Sequence, residues 1–594
     1  MSAPAADLSQ PPRAHLTSPI RNVVIINLES IRADALPFSQ ALVEAVGTKL
    51  VNESLTAEEI TPFWNSLMSQ SLVMNDTSAT SSYTLKTLLS TFCGMYPLNV
   101  NFMEEGRGDR HFYQRCLPQL LREQFVDPNS QTTARRWWTR APPNSQFRSA
   151  FFQTSDSTFD HQEEEFNKMG WDDVFYAPDV KRFTPGAKKM GWFGVGDTDL
   201  LPLFFDWVDN TLESKKQLLA GVLTTSTHYP FPLPDGEQSQ EYVTNEVLNN
   251  YLNSIRMTDG LLKKIIGGFE ERGVLNETMF VMLGDHGHGF DDWGHKILGA
   301  LDNSMESGFR VPFMVYSPSL RPMEPVEGRY TNMDVLPTVM DVLISSSQDP
   351  RWYPSITDTS PDTTSNPSTT DQNTDNEHDT SDVAETPDNA SWLSSRQTLN
   401  LLDLTQQAQQ IHLQKLLTQY EGTSIFRPPL HISHPPRPTF HLDNPGNAHI
   451  ILLQPPLKLV YDAIDEKTTL YSLPHDPGEW EDLLSTRPPP PWVEYRETDL
   501  RRELRFDWWV SREGFEEMDQ GRTLPDREAV SEEDVEERKG EGEVGKVRLG
   551  EVFDWAEEGF QVMLGWSWIN RERYLTGEKE VSIWRSRYSK ILGE

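Results

Sequence analysis

Cysteine is nearly absent from this 594-residue sequence, which holds only Cys93 and Cys116. So few thiols exclude a disulfide-stapled scaffold and a thiolate zinc cluster. Their spacing leaves open whether they form one bridge or two buried apolar groups. Positive charge is also short. Against 89 aspartates and glutamates stand 53 lysines and arginines, a formal net charge of −36. That balance excludes a basic nucleic-acid groove and makes any anionic substrate dependent on a local cation. Most of the acidity reads as solvated surface. No apolar run reaches membrane-spanning length, and residues 1–21 are polar and Pro-rich without a signal-peptide core. The sequons at Asn52, Asn75, Asn276 and Asn389 are close to the number chance gives in a chain this long.

What is present is a series of apolar runs that stop abruptly at ligand-type side chains. Thr278 to Leu283 reads as a buried strand, followed by Gly284, Asp285, His286 and Gly287. A strand of an α/β sheet delivers such residues to its carboxyl end, where ligands bind, and Asp oxygen beside His nitrogen suits a divalent cation. The competing reading is an aspartate that merely caps a helix. Asn22 to Leu28 is a second buried-type strand, ending at Glu29; this carboxylate suits either the first turn of a helix or the same cation. If the two strands are parallel neighbours, their acidic ends converge.

Further candidates follow in the same positions. Ser78 to Thr91 opens as a Ser/Thr loop and continues with the helical face Leu85, Leu88 and Leu89. Thr84, at that helix start, suits an activated nucleophile with Lys86 balancing charge, or an ordinary N-cap. Leu218 to Thr225 reads as a strand running into His228, and Trp192 lies in a Gly-rich turn. His295 and Lys296 follow the Asp-His strand. Residues 308–316 are expected as a strand, and 331–338 as the start of a helix closing near 345.

This divides the chain into a polar segment 1–21, a catalytic-type α/β domain 22–345, and a Ser/Thr/Asp-rich linker 346–398 too polar to fold alone. A small C-terminal sheet subdomain, 399–490, would contain strands at 448–453, 457–461 and 468–473. Residues 491–594 read as a charged loop and a Trp-rich helical tail.

In this order the motifs resemble the sulfatase branch of the alkaline phosphatase superfamily. They are most similar to its Thr-nucleophile members, the lipoteichoic acid synthases and phosphoethanolamine transferases. Val23 to Ser30 resembles the first metal strand; Gly94-Met95-Tyr96-Pro97 resembles the Gly-x-Tyr-Pro that follows the nucleophile. Leu283 to Gly287 resembles the second metal motif, Gly308 to Pro312 the strand after it, and Met333 to Thr338 the Asp-x-x-Pro-Thr motif. Leu470 to Leu473 with Asp476 to Glu479 resembles the sulfatase C-terminal sheet.

The resemblance implies an alkaline-phosphatase-like sandwich of helices around a mostly parallel sheet, with a smaller C-terminal α+β subdomain. It implies that Glu29, Thr84, Asp285 and His286 bind one divalent metal (Mn, Mg or Zn, with Ca a further option), and that Thr84 carries a covalent intermediate. His228 and His295 would serve catalysis, with Lys86, Trp192 and Lys296 in the substrate pocket. The substrate would be a small-molecule, lipid head-group or glycan ester.

Three departures qualify the likeness. Thr84-Leu85-Lys86-Thr87-Leu88 stands where sulfatases carry the Cys or Ser that becomes formylglycine, and Thr cannot form that aldehyde. Glu29 and His286 replace the second residue of the sulfatase Asp-Asp and Asp-Asn pairs. These changes favour phosphoryl over sulfuryl transfer, with sulfate ester hydrolysis and a degenerate binding protein as alternatives. The Thr-type members are also membrane-anchored with extracytosolic catalytic domains, so membrane proximity would come through a segment outside this chain. A Cys93–Cys116 bridge would favour that setting.

Overall fold

The computed structural model describes residues 16–100, 112–125, 145–156, 162–191, 194–234, 236–320, 329–346, 420–426, 439–443, 449–454, 457–462, 465 and 467–485, with 493–494, 547–548 and 563. Trp192, the linker from 347 onward and nearly all of the 491–594 tail lie outside them.

A central sheet positions everything else. Its strands in chain order are β1 (Asn22–Leu28), β2 (Leu72–Val73), β3 (Phe147–Gln153), β4 (Asp173–Phe175), β5 (Gln217–Leu223), β6 (Thr278–Gly284) and β7 (Phe313–Tyr316). They lie in the order β2-β7-β6-β1-β5-β3-β4. The pairs from β6 to β4 are parallel, while β7 runs antiparallel to both β6 and β2.

Every residue of β1 is buried, because helices cover both faces and strict alternation gives way to a continuous apolar run. Alternate side chains still part company. Val23 and Ile25 enter one core with Leu85, Leu88 and Phe92 of helix α1 (Thr84–Cys93). Val24 and Ile26 enter the other, with Leu203 and Phe204 of α2 (Leu201–Glu213) and Leu252 and Ile255 of α3 (Glu246–Glu271). Helix α4 (Val335–Ser346) packs on the first face. This is the alkaline-phosphatase-like sandwich expected from the sequence.

The expected strand at 308–316 divides. Residues Glu306–Phe309 form a helical turn and β7 begins only at Phe313, since Pro312 has no N–H to give a ladder; its carbonyl instead accepts from Gly284 N at 2.9 Å.

The C-terminal part is an antiparallel sheet of β8 (Thr439–Leu442), β9 (His449–Gln454), β10 (Leu457–Asp462) and β11 (Lys467–Ser472), in that order. The last three match expected strands; β8 was not expected. Cys93 and Cys116 are disulfide-bonded, tying the end of α1 to the segment that follows the residues 101–111.

Candidate active site

Parallel pairing of β1 with β6 aligns Leu28 with Gly284, so Glu29 and Asp285 leave the sheet side by side. Ligand atoms of Glu29, Asp285 and His286 all lie within 4.8 Å of one another, and all three residues are buried. Thr84, half-buried at the first position of α1, reaches in from another element. Its hydroxyl Oγ1 donates to Glu29 Oε2 at 3.3 Å and stands 3.2 Å from His286 Nε2. The four residues singled out in the sequence thus converge from distant parts of the chain.

The turn after β1 is held tightly to make this possible. Ser30 has a φ of 55°, an uncommon left-handed conformation for a residue with a side chain. Its N–H donates to Asp285 Oδ1 at 2.9 Å, its hydroxyl donates to Glu29 Oε1 at 2.7 Å, and its carbonyl accepts from Tyr251 Oη at 2.8 Å. The residues after Glu29 form turns rather than the helix start considered above. Around Asp285 the glycines answer to space. A Cβ on Gly284 would lie 2.8 Å from the Ile31 carbonyl oxygen, and one on Gly287 only 2.0 Å from that of Ser307.

Electrostatics at the cluster are unfavourable without a cation. Burial, and then the charge of Glu29, push the Asp285 carboxyl up to about 7. Burial alone would lower His286, but the charges of Asp285 and Glu29 outweigh it and its pKa is raised. His286 Nδ1 donates to the Gly287 carbonyl at 2.9 Å, which in the neutral ring leaves the Nε2 lone pair facing Thr84 and the carboxylates. Asp285 Oδ2 is buried with no hydrogen-bond partner among the described residues. An orphaned carboxylate oxygen, a second carboxylate and an oriented imidazole form a donor set that fits a divalent cation.

His228 is half-buried after β5, its Nδ1 donating to the Tyr229 carbonyl at 2.8 Å. Burial lowers its pKa, and the charges of His286 and Asp285 also act on it, so it lies within their electrostatic reach. His295 is held by the C-terminal segment. Its Nε2 donates to the Gly478 carbonyl, and its ring stacks on Trp480 with centroids 3.7 Å apart. Lys296 is exposed, with a φ of 58°, and Lys86 is fully buried within α1. The structure therefore brings Glu29, Thr84, Asp285 and His286 together, with His228 within their electrostatic reach, and sets the His295 ring against Gly478 and Trp480.

Several supports were not legible in the sequence. Arg32 is buried between Asp34 and Asp292, with contacts of 2.7 and 2.6 Å, and so clasps the loop after His286 to the turn after Glu29. His288 lies among the rings of Tyr229, Phe231, Tyr251 and Phe290. Asn332 donates from Nδ2 to the Gly284 carbonyl at 3.2 Å and accepts from Thr80 N at 3.1 Å, bridging the two halves of the site. It stands two residues ahead of Asp334, which opens the Asp-x-x-Pro-Thr motif.

The sulfatase family model matches residues 21–345, more than half of the chain. The protein belongs to the sulfatase family, a group of ester hydrolases and transferases within the alkaline phosphatase superfamily. Among curated relatives it is 24% identical over 356 residues to a lipoteichoic acid synthase-like protein, YvgJ, of Bacillus subtilis, covering 57% of this chain and 50% of that one. It is 23% identical over 203 residues to lipoteichoic acid synthase 1 of the same organism, covering 33% and 30%. The chain thus spans half or less of the length of these relatives. The crystal structure of the lipoteichoic acid synthase LtaP from Listeria monocytogenes aligns with a TM-score of 0.44 at 20% identity, covering 57% of this chain and 76% of that one.

Proposed function

We propose that this protein is a metal-dependent phosphoryl hydrolase or transferase in which Thr84 is the nucleophile. The observation that carries the reading is the placement of Thr84 Oγ1 at 3.3 Å from Glu29 and 3.2 Å from His286, at the head of a helix. A divalent cation held by Glu29, Asp285, His286 and the Thr84 hydroxyl would supply the positive charge that lowers the hydroxyl pKa and offsets charge on phosphoryl oxygens. The chain's own residues do the rest. Backbone N–H groups at the start of α1 face an incoming anion, and Glu29 Oε2, the acceptor of the Thr84 proton, orients the hydroxyl. Attack would form the bond from Oγ1 to phosphorus as the bond to the leaving oxygen breaks. His228 is held uncharged near neutral pH by burial, which suits it to take a proton from the water or alcohol that releases the phosphothreonine. The Cys93–Cys116 bond is in keeping with an oxidising compartment, and the lipoteichoic acid synthase relatives favour a lipid head-group or related phosphodiester substrate.

Turnover of an aryl phosphodiester, an aryl phosphate and an aryl sulfate by the purified protein with manganese tests the reading. Phosphorus-ester turnover is expected; turnover of the sulfate alone would replace it with the sulfatase alternative. Protons compete with the cation for the raised Asp285 and His286 groups. Manganese affinity is therefore expected to fall as pH drops below about 7, by ~10-fold per pH unit for each proton displaced. Calorimetric titrations at pH 8 and pH 6 check this, and equal affinities would count against the site.

A further inference from the structure

The segment that leads into Thr84 is held by the C-terminal sheet. Strand β8 lies against it in register with Ser81. Leu442 N donates to the Thr80 carbonyl, and the Leu442 carbonyl accepts from Ser82 N, each at 3.1 Å. One residue back, His441 is 1% exposed, and its Nδ1 stands 2.6 Å from the Ala79 carbonyl. Only an N–H can face that oxygen, so Nε2 accepts from the Thr439 hydroxyl at 2.7 Å. Burial holds the imidazole uncharged at neutral pH, its pKa lowered to about 3.

Two further backbone groups of this loop are satisfied from the catalytic domain. Ala79 N donates to the Phe309 carbonyl at 2.7 Å and Thr80 N to Asn332. Beside this contact, buried Lys458 of β10 pairs with Glu479 at 2.8 Å and reaches Glu306 at 3.6 Å, while Arg329 bonds the Ser78 hydroxyl at 3.0 Å. These polar contacts lie beside an apolar patch in which Phe309 packs with Ile451 and Val460, and Phe309 meets the His441 ring edge-on with centroids 5.5 Å apart.

We infer that the C-terminal sheet is part of the catalytic apparatus, and that His441 is a positioning residue which, through Ala79, fixes the backbone carrying Thr84. The functional half of this statement rests on the Thr84 reading above; the structural half does not. A loop held by the catalytic domain alone would have the Ala79 and Thr80 carbonyls and the Ser82 N–H without these partners, and such groups do not stay unpaired in a buried site. Holding a nucleophile to within a fraction of an ångström is what separates a present site from a working one.

The test uses the full chain with His441→Leu and His441→Asn. The Asn Nδ2 sits where His Nδ1 sits, so a donor toward Ala79 is kept in one variant and removed in the other. In His441→Leu, amide exchange at Ala79, Thr80, Ser81 and Ser82 is expected to quicken by about tenfold to a hundredfold, with β1 unchanged. On bis(p-nitrophenyl) phosphate with manganese, kcat should fall by a similar factor at nearly constant KM, and His441→Asn should restore most of it. Unchanged exchange at 79–82 in His441→Leu would overturn the inference, as would a matching loss in His441→Asn. Should His441→Leu not fold, Thr439→Val, which removes the hydroxyl anchoring Nε2, decides by the same exchange readout. A wild-type protein silent on the probe speaks against the Thr84 reading; the exchange result still judges the hold of β8.

Discussion

Thr84→Ala is expected to lower turnover of any accepted phosphorus ester by at least about a thousandfold, while manganese still binds and the protein still folds. The hydroxyl is half-buried at the head of α1, within 3.3 Å of Glu29 and 3.2 Å of His286, and its removal takes away the atom that would form the covalent bond. The neighbouring hydroxyl of Ser30 is no substitute, since it is 2% exposed and donates to Glu29 Oε1. Alanine at the first helical position costs little, because the change removes no packed core group and alanine is a strong helix former. Melting temperature should therefore move far less than kcat, and manganese affinity should fall only by the loss of one neutral ligand of four. Thr84→Ser keeps the oxygen and loses only a methyl, and should remain within about tenfold of the wild type. Mass spectrometry after rapid acid quench of the wild-type reaction should find phosphate on Thr84. Activity surviving in Thr84→Ala would sink the nucleophile assignment and turn attention to a water attacking directly.

How much of this was legible beforehand follows from how each feature is encoded. β1 and β6 are buried on both faces, so each shows as an apolar run, and each run stops where the strand leaves the carboxyl end of the sheet. That makes Glu29, Asp285 and His286 conspicuous from sequence. Thr84 was legible because a hydroxyl-rich loop gives way to the spacing of Leu85, Leu88 and Leu89, one face of a helix. Residues whose meaning comes only from a distant partner were not. Arg32 meets Asp292 across 260 positions, and nothing local in either marks the pairing. Ser30 carries no sign of its left-handed backbone, a conformation imposed by the bonds it makes to Asp285 and Tyr251. β8 is four residues long, includes a histidine and is bordered by prolines and Asn444, so it has neither the length nor the alternation of a detectable strand. The partners of His295 were hidden for a related reason: its ring is held by Gly478 and Trp480 from a distant part of the chain.

The cluster's electrostatics also make stability and function oppose each other, and Asp285→Asn should expose this. In the cation-free protein the Asp285 carboxyl titrates near 7 instead of in the ordinary carboxylate range, because burial and Glu29 both disfavour its charge. A pKa raised on folding means stability that is fully present below the unfolded value and lost as pH rises through the folded one. The metal-free protein should accordingly lose stability through this group between about pH 4 and pH 7 and stay at the lower level above. An asparagine at this position would keep the Oδ1 acceptor for Ser30 N and His286 N while removing the charge. Its amide would sit within reach of Glu29, turning a repulsion into a donor–acceptor contact. The variant is expected to melt above the wild type when both are metal-free at pH 8, by roughly 1–2 °C for each kcal/mol of repulsion relieved, and the difference should vanish near pH 4. Manganese should reverse the order. Wild-type protein at a hundred times its dissociation constant gains about 2.7 kcal/mol, whereas the variant lacks the charged ligand and should gain little. Thermal melts of both proteins at pH 4 and pH 8, with and without manganese, make the comparison. A metal-free Asp285→Asn protein less stable than wild type at pH 8 would show that Asp285 is there for the fold, and a manganese shift of equal size in both would remove it from the ligand set.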